Sequence, residues 1–319
     1  GTITLTNTAW AAGTADSVTI AQSDATGGTV VATGVEALTV TSTVVGASAL
    51  AITDATAKSI TITGGTAATD LLTLTGTAVT GSAATAINAS GYAGGVVVDH
   101  TGATVAATIT GGAGNDQISG GNGDDLIVIN GTADIAAGES YSGDGGTDTL
   151  QITATTDFTG VGTIDSVEVF TLSQGVTATF DAAALTGDTI SMSGTSDNLG
   201  EFVVVNGTNA SGEAIDLINI TVDINDITGI SVTGLGGDDT ITGGNGNDSL
   251  IGGAGNDSIT AGNGNNSVDA GTGDDELIVG VGLNTVDGGD GADTITAGSG
   301  NDYLLGGVGN DSVNAGDGN

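Results

Sequence analysis

The sequence predicts an all-β chain, a parallel β-solenoid that includes a repetitive β-roll. Three observations lead there. Residues 234–319 can be written without a gap as nine consecutive nonapeptides and the start of a tenth, beginning at residues 234, 243, 252, 261, 270, 279, 288, 297 and 306. Elsewhere short runs of alternating β-branched residues recur with period 2, and no helix-length apolar periodicity appears. The chain also holds 59 glycines and no proline, which suits tight turns and excludes collagen and proline-rich linkers.

Composition narrows the function as well. At 319 residues the length alone suggests about two domains, but a repeat protein stacks coils and builds no single globular core. With 38% hydrophobic residues the chain is too apolar for a solvating acidic tail, so it should fold. Cysteine is absent, which removes disulfides and thiolate metal sites and leaves hydrogen-bonded ladders and bound ions as sources of stability. The formal net charge is −37, and Lys58 is the sole Lys or Arg. Such a chain is not expected to bind nucleic acid; its partners should be divalent cations, or anionic surfaces bridged by them. Self-repulsion on this scale opposes compaction until counterions bind. No run of about 20 apolar residues predicts a membrane span. The chain begins at Gly1 without a signal-peptide pattern and stops inside a repeat at Gly318-Asn319, so both ends are expected to be cut boundaries.

In order, residues 1–110 read as a Thr/Ala/Val-rich solenoid spacer. Runs such as Thr2-Ile3-Thr4-Leu5-Thr6, Ser59-Ile60-Thr61-Ile62-Thr63 and Val96-Val97-Val98 are separated by Gly, Asn, Asp, Ser and Ala. Solenoid rungs fit their spacing, and a β-sandwich of similar strands is the alternative. Residues 111–151 form a short repeat block, GGAGNDQIS and GGNGDDLIV followed by a degenerate GDGGTDTLQ at 143–151. Residues 152–233 return to the spacer style, with Phe158, Phe170, Phe180 and Phe202 as aromatic core material. Residues 234–319 are the long roll. Gly34-Val35-Glu36-Ala37-Leu38-Thr39-Val40 matches Ser166-Val167-Glu168-Val169-Phe170-Thr171-Leu172, and at the same offset GGAGNDQIS at 111 falls on GGNGNDSLI at 243. The chain is thus two spacer-plus-repeat units.

Within the nonapeptide, glycine at positions 1, 2 and 4 frees the backbone to take φ > 0 and turn carbonyl oxygens inward. Position 6 adds a carboxylate, and position 8, always apolar from Ile241 to Val313, is the one inward side chain of a short strand. Calcium takes six to eight oxygens at about 2.3–2.6 Å. One turn offers too few, so the ion is expected between stacked turns. The candidate ligands are the carboxylates of Asp116, Asp125 and Asp148 in the short block, and of Asp239, Asp248, Asp257, Asp275, Asp293, Asp302 and Asp311 in the roll. With them go the turn glycines Gly112, Gly114, Gly121, Gly123, Gly244, Gly246, Gly253, Gly255, Gly271, Gly273, Gly289, Gly291, Gly298, Gly300, Gly307 and Gly309. Two nonapeptides per coil place alternate repeats on the same side. One side then reads Asp239, Asp257, Asp275, Asp293, Asp311 and the other Asp248, Asn266, Asn284, Asp302, so calcium occupancy is expected to differ between them. The repeat carrying Asn284 is also the least polar, which suggests a turn packed against something apolar.

These repeats resemble the RTX (repeats-in-toxin) family, a resemblance that implies calcium as cofactor and a β-roll fold. The G-V-E-x-L-x-V type of segment, the stretch Thr179-Phe180-Asp181-Ala182-Ala183-Ala184-Leu185-Thr186-Gly187, and the alternation of spacer with repeat block resemble bacterial S-layer proteins of the Caulobacter type. That resemblance implies a secreted, cell-surface protein exported by type I secretion and assembling with copies of itself, with cell-surface polysaccharide as a calcium-bridged partner. The alternatives are the repeat region of a large secreted adhesin and the carrier region of a secreted hydrolase.

No enzyme is expected in these residues. His100 is the sole histidine and, with no cysteine, cannot build a zinc site. Glu36 and Glu168 occupy matched duplicate positions but read as surface or strand-edge carboxylates. Trp10 and Tyr303 are candidates for a subunit contact or for ordinary packing, and N-x-S/T triplets such as Asn206-Gly207-Thr208 carry little weight in so Asn/Thr-rich a chain.

Overall fold

The computed structural model describes residues 2–6, 17–22, 28–33, 37–43, 45–53, 59–67, 69–75, 85–131, 135, 137–174, 176–181, 190–193, 201–206, 214–215, 220–222, 227–244 and 246–318. They form two compact units, residues 1–153 with 160–169, and residues 154–159 with 170–319. Among the described residues there are strands and turns and no helix, hence none long and apolar enough to cross a membrane. The fold is an all-β parallel solenoid in which successive strands alternate between facing sheets.

In the first unit one sheet stacks Thr2–Thr6, Gly28–Thr33, Ala47–Thr53, Leu71–Thr75, Gly95–Asp99, Gln117–Ser119, Ser140–Ser142 and Thr163–Asp165. The intervening strands, from Ser17–Gln22 through Ala107–Thr110 and Leu126–Ile129 to Thr149–Ile152, build the second. Every rung is paired in parallel, as in Leu38 with Ile60 and Ile109 with Ile127, which removes the sandwich alternative. Period 2 explains the result: in Ala37–Ser42 the leucine and valine point in and are buried while the alanine and threonines are half-exposed. The inward columns Leu38, Ile60, Ile87 and Val40, Ile62 fill the core, and outward threonines pair across rungs, Thr41 Oγ1 lying 3.1 Å from Thr63 Oγ1.

In the second unit Phe158 stacks on Phe180 at 4.7 Å between ring centroids and Phe170 on Phe180 at 5.5 Å, so three of the four phenylalanines form one buried cluster. The side chain of Phe202 lies outside the described residues. From Val232 onward the register is two nonapeptides per coil, with one shift between Thr260 and Gly262. Val232, Leu250, Val268, Val286 and Leu304 align in one sheet, and Ile241, Ile259, Leu277, Ile295 and Val313 in the other. These are the position-8 residues, and from Val232 to Ile295 all are buried. One large apolar side chain per nonapeptide, about 1.5–3 kcal/mol each, joined by the buried position-1 residues Ala261, Ala270, Val279 and Ala297, makes a thin core. Main-chain ladders and the turns must supply the rest.

Candidate metal centre

The turns of the roll are lined by oxygen. Gly271 and Gly273 have φ of 103° and 136°, and a Cβ on either would strike the carbonyl oxygen of Gly253 or Gly255 in the coil before. The carbonyls of positions 2 and 4 therefore form two files along the turn, each facing a glycine Cα in the next coil. Position-1 glycines have a different reason from the one expected. Gly252 lies outside the left-handed region, and the space its Cβ would fill is held by Asp257 Oδ2. Gly234, Gly288 and Gly306 stand in the same relation to Asp239, Asp293 and Asp311, while Ala270 and Ala297 occupy the equivalent place in the turns of Asp275 and Asp302.

The carboxylates reach across coils. Oδ1 of Asp257, Asp275, Asp293 and Asp311 accepts the main-chain N–H of Asp239, Asp257, Asp275 and Asp293 at 2.8, 2.7, 3.0 and 3.2 Å. On the other side Asp248, Asn266, Asn284 and Asp302 accept from Ile230, Asp248, Asn266 and Asn284 at 3.0, 2.9, 3.1 and 2.9 Å. The sequence-derived rows of alternate repeats are thus brought together on opposite sides. In the short block Asp125 accepts from Ala107 at 2.6 Å and Asp148 from Asp125 at 2.7 Å, and Glu168 continues the file by accepting from Asp148 at 2.8 Å through Oε2.

The second oxygen decides the chemistry. Oδ2 of Asp125, Asp148, Asp248, Asp257, Asp275, Asp293 and Asp302 is buried without a hydrogen-bond partner. Leaving such an atom unsatisfied costs about 1–3 kcal/mol, more when charged. Burial, only partly offset by the ladder hydrogen bond, pushes the carboxyls of Asp125, Asp148, Asp248 and Asp275 up to about 6, and those of Asp257 and Asp293 upward. Except at Asp248, neighbouring acids push the same way. With one Lys or Arg in the chain, the neutralising charge must come from solution.

Other turns show how a carboxylate is satisfied without an ion. Asp70 accepts from Gly46 N, Thr66 N, Thr66 Oγ1 and Ala67 N at 2.7, 2.8, 3.0 and 3.0 Å, and these donors, led by Gly46, lower its pKa to about 2. Both oxygens of Asp116 accept main-chain N–H, from Val96 at 2.7 Å and Gly112 at 3.0 Å. Asn266 and Asn284 are self-satisfied differently. Asn266 Nδ2 donates to the Gly262 and Gly264 carbonyls at 3.3 and 3.5 Å, and Asn284 Nδ2 to the Gly280 carbonyl at 3.2 Å and Asp302 Oδ1 at 2.9 Å. In the same repeat Val281 and Leu283, where the sequence suggested an apolar partner, are 59% and 60% exposed.

Among the described residues no three His, Cys, Asp or Glu side chains converge as a metal cage. A cation here must draw on carboxylate and main-chain carbonyl together, the mixed hard-oxygen set that suits calcium. The orphaned Oδ2 atoms and the carbonyl files fit that ion.

Of the remaining sequence candidates, His100 is buried with Nδ1 2.7 Å from the Gly120 carbonyl, and burial lowers its pKa. Tyr303 is 66% exposed. Trp10, Glu36, Lys58, Gly207, Thr208 and residues 182–187 lie outside the described residues. Asp70 and Glu168 were missed as turn carboxylates. The available signal was their place immediately before a strand, Leu71–Thr75 and Val169–Leu172, the place Asp148 holds before Thr149–Ile152.

Turns that stack orphaned carboxylate oxygens over files of carbonyls define a calcium-binding β-roll. The comparison with protein families agrees: residues 102–135, 233–268, 251–286, 269–304 and 287–319 match the RTX calcium-binding nonapeptide repeat (4 copies). The chain thus carries RTX repeats, calcium-binding motifs found generally in secreted proteins. No curated protein and no solved structure matches it.

Proposed function

We propose that the chain is a non-catalytic, extracellular structural protein, a calcium-dependent, self-assembling subunit of an S-layer or related surface filament. The observation that carries this reading is the file of buried, partnerless Oδ2 atoms in Asp257, Asp275 and Asp293. A fold that leaves these charges uncompensated is completed by ions that are scarce inside cells and abundant outside. Calcium then acts as the folding trigger, and a chain exported while loose compacts on reaching the cell surface. The role of Asp125, Asp148, Asp239, Asp248, Asp257, Asp275, Asp293, Asp302 and Asp311 as ligands belongs to this proposal; Asp116, expected from the sequence as a ligand, is left out because both its oxygens already accept main-chain N–H groups. Its partners are further copies of the chain and, through calcium, anionic polysaccharide. The internal duplication favours a second reading, an array of units in a large secreted adhesin. Electron microscopy and light scattering across a calcium titration separate the two. A lattice or fibre at millimolar calcium supports the first, and a chain that stays monomeric at every calcium concentration overturns it in favour of the second.

A further inference from the structure

The file of carboxylates in the short block does not stop where the recognised repeat stops. The family match ends at residue 135, yet Asp148 and Glu168 carry the ladder two coils further, each accepting the main-chain N–H of the preceding acidic residue. The coil lengths differ from the eighteen-residue register of the roll, so the nonapeptide pattern reaches Asp148 only in degenerate form and misses Glu168. The continuation becomes visible once the coils are stacked.

Two groups meet beside Gly143, and a third is hydrogen-bonded to one of them. Asp148 is fully buried, and its Oδ2 has no hydrogen-bond partner. That oxygen lies where a Cβ on Gly143 would be, and so does the carbonyl oxygen of Ser166. Ser166 is one of two described non-glycine residues with positive φ, at 54°, a conformation that serine adopts at a cost. Two residues on, the half-buried Glu168 carboxylate is bound to Asp148 N–H at 2.8 Å, placing a second negative charge beside the first. Neither acid has a described cationic partner, and the mutual repulsion adds to burial in raising the Asp148 pKa.

We propose that Asp148, Glu168 and the Ser166 carbonyl form a further calcium site, one that closes the short block beyond its recognisable repeats. Water fills the remaining coordination positions, and the bound ion holds Ser166 in its left-handed turn. This rests on the reading that the repeats bind calcium. It adds a ligand type, glutamate, from a coil that the nonapeptide pattern does not mark.

The test uses the full chain and its Glu168→Gln variant, with calcium itself as the probe. The introduced amide keeps an oxygen to accept the Asp148 N–H, so a merely structural role predicts an unchanged ion count. The proposal predicts that equilibrium dialysis at saturating calcium finds one ion fewer per chain. It also predicts a lower Tm than wild type in calcium and a higher one in chelator. An equal ion count with an equal calcium-induced Tm shift overturns it. If the variant does not fold, a crystal structure of the wild type grown in calcium decides. Density bridging Asp148 Oδ2 and the Ser166 carbonyl supports the site, and its absence while the Asp257–Asp275 interval is filled overturns it. A wild type that binds no calcium anywhere fails earlier, at the calcium reading of the repeats, and so is distinguishable from failure of this site alone.

Discussion

Asp257 Oδ1 accepts the main-chain N–H of Asp239 at 2.8 Å while its Oδ2 stays buried without a partner. One side chain thus does two jobs, extending the parallel ladder with one oxygen and presenting the other to the turn. Because Asp275 and Asp293 repeat the arrangement one and two coils on, a file of carboxylates builds up at the inter-strand spacing. At about 4.8 Å two unit charges repel by roughly 3 kcal/mol at an effective dielectric near 20.

Removal of calcium is therefore expected to unfold the roll at neutral pH. The thin described core must already meet the ordering entropy of every residue in the coil, about 1–2 kcal/mol each, so several such repulsions leave the ion-free roll unstable. Circular dichroism at pH 7 should lose its β signal in excess chelator and regain it when calcium is restored. A spectrum unchanged by chelator would remove the basis of the ion-triggered mechanism.

Protons should partly replace calcium. The carboxyls of Asp125, Asp148, Asp248 and Asp275 sit at about 6 in the folded ion-free chain, above the ordinary unfolded value near 4. The folded state then binds more protons, so this contribution is fully present below about pH 4 and is lost as pH rises through about 6. An ion-free roll, unfolded at pH 7, should thus regain β structure and a thermal transition as the pH is lowered to 5. In calcium the pH dependence reverses over the same window, since protons compete for the ligands. Thermal melts at the two pH values, with and without calcium, check both signs.

Replacing Gly273 by alanine should destabilise the roll in calcium by about 1–3 kcal/mol or more. Its φ is 136°, and the new Cβ would meet the Gly255 carbonyl, one of the oxygens facing the next turn. Gly252→Ala acts differently: alanine already stands at the equivalent place in the turns of Asp275 and Asp302, so this variant should cost less stability than Gly273→Ala and leave calcium affinity nearly unchanged. Calorimetric titration beside thermal melts separates the two effects.

What the sequence made legible follows from how strictly each part is spaced. In the roll every coil is two nonapeptides, so Leu250 over Val268 and Ile259 over Leu277 could be placed from the repeat alone. In the first unit rung length varies: Thr2 pairs with Thr29, Leu71 with Gly95 and Gln117 with Ser140. Only the inward alternation is constrained there, and the turns absorb the difference, so strands were readable and their partners were not. Glu168 stands at a strand edge, as the sequence suggested, but its place in the carboxylate file emerges only once coils of unequal length are stacked. The position-1 glycine was misread because its neighbour is a side-chain oxygen five residues on, whereas backbone conformation explains positions 2 and 4.

The two sides of the roll should differ in calcium content, and the structure supplies the reason. Asp239, Asp257, Asp275, Asp293 and Asp311 form an unbroken acidic file. On the opposite side Asn266 Nδ2 and Asn284 Nδ2 donate to the Gly262 and Gly280 carbonyls, so the amide occupies oxygens that an ion would need. A neutral side chain also gives calcium less charge to bind. The Asn266/Asn284 interval is thus closed by its own hydrogen bonds and needs no ion, while the Asp257/Asp275 interval opposite it does. Asn266→Asp with Asn284→Asp removes both amide donors and adds two charges. The double variant should bind one further calcium, melt higher than wild type in calcium, and need a lower pH than wild type to fold in chelator. A structure solved at limiting calcium provides the independent check: equal density in the Asn266/Asn284 and Asp257/Asp275 intervals of the wild type would show that main-chain carbonyls and amide oxygens suffice, and the asymmetry would be abandoned.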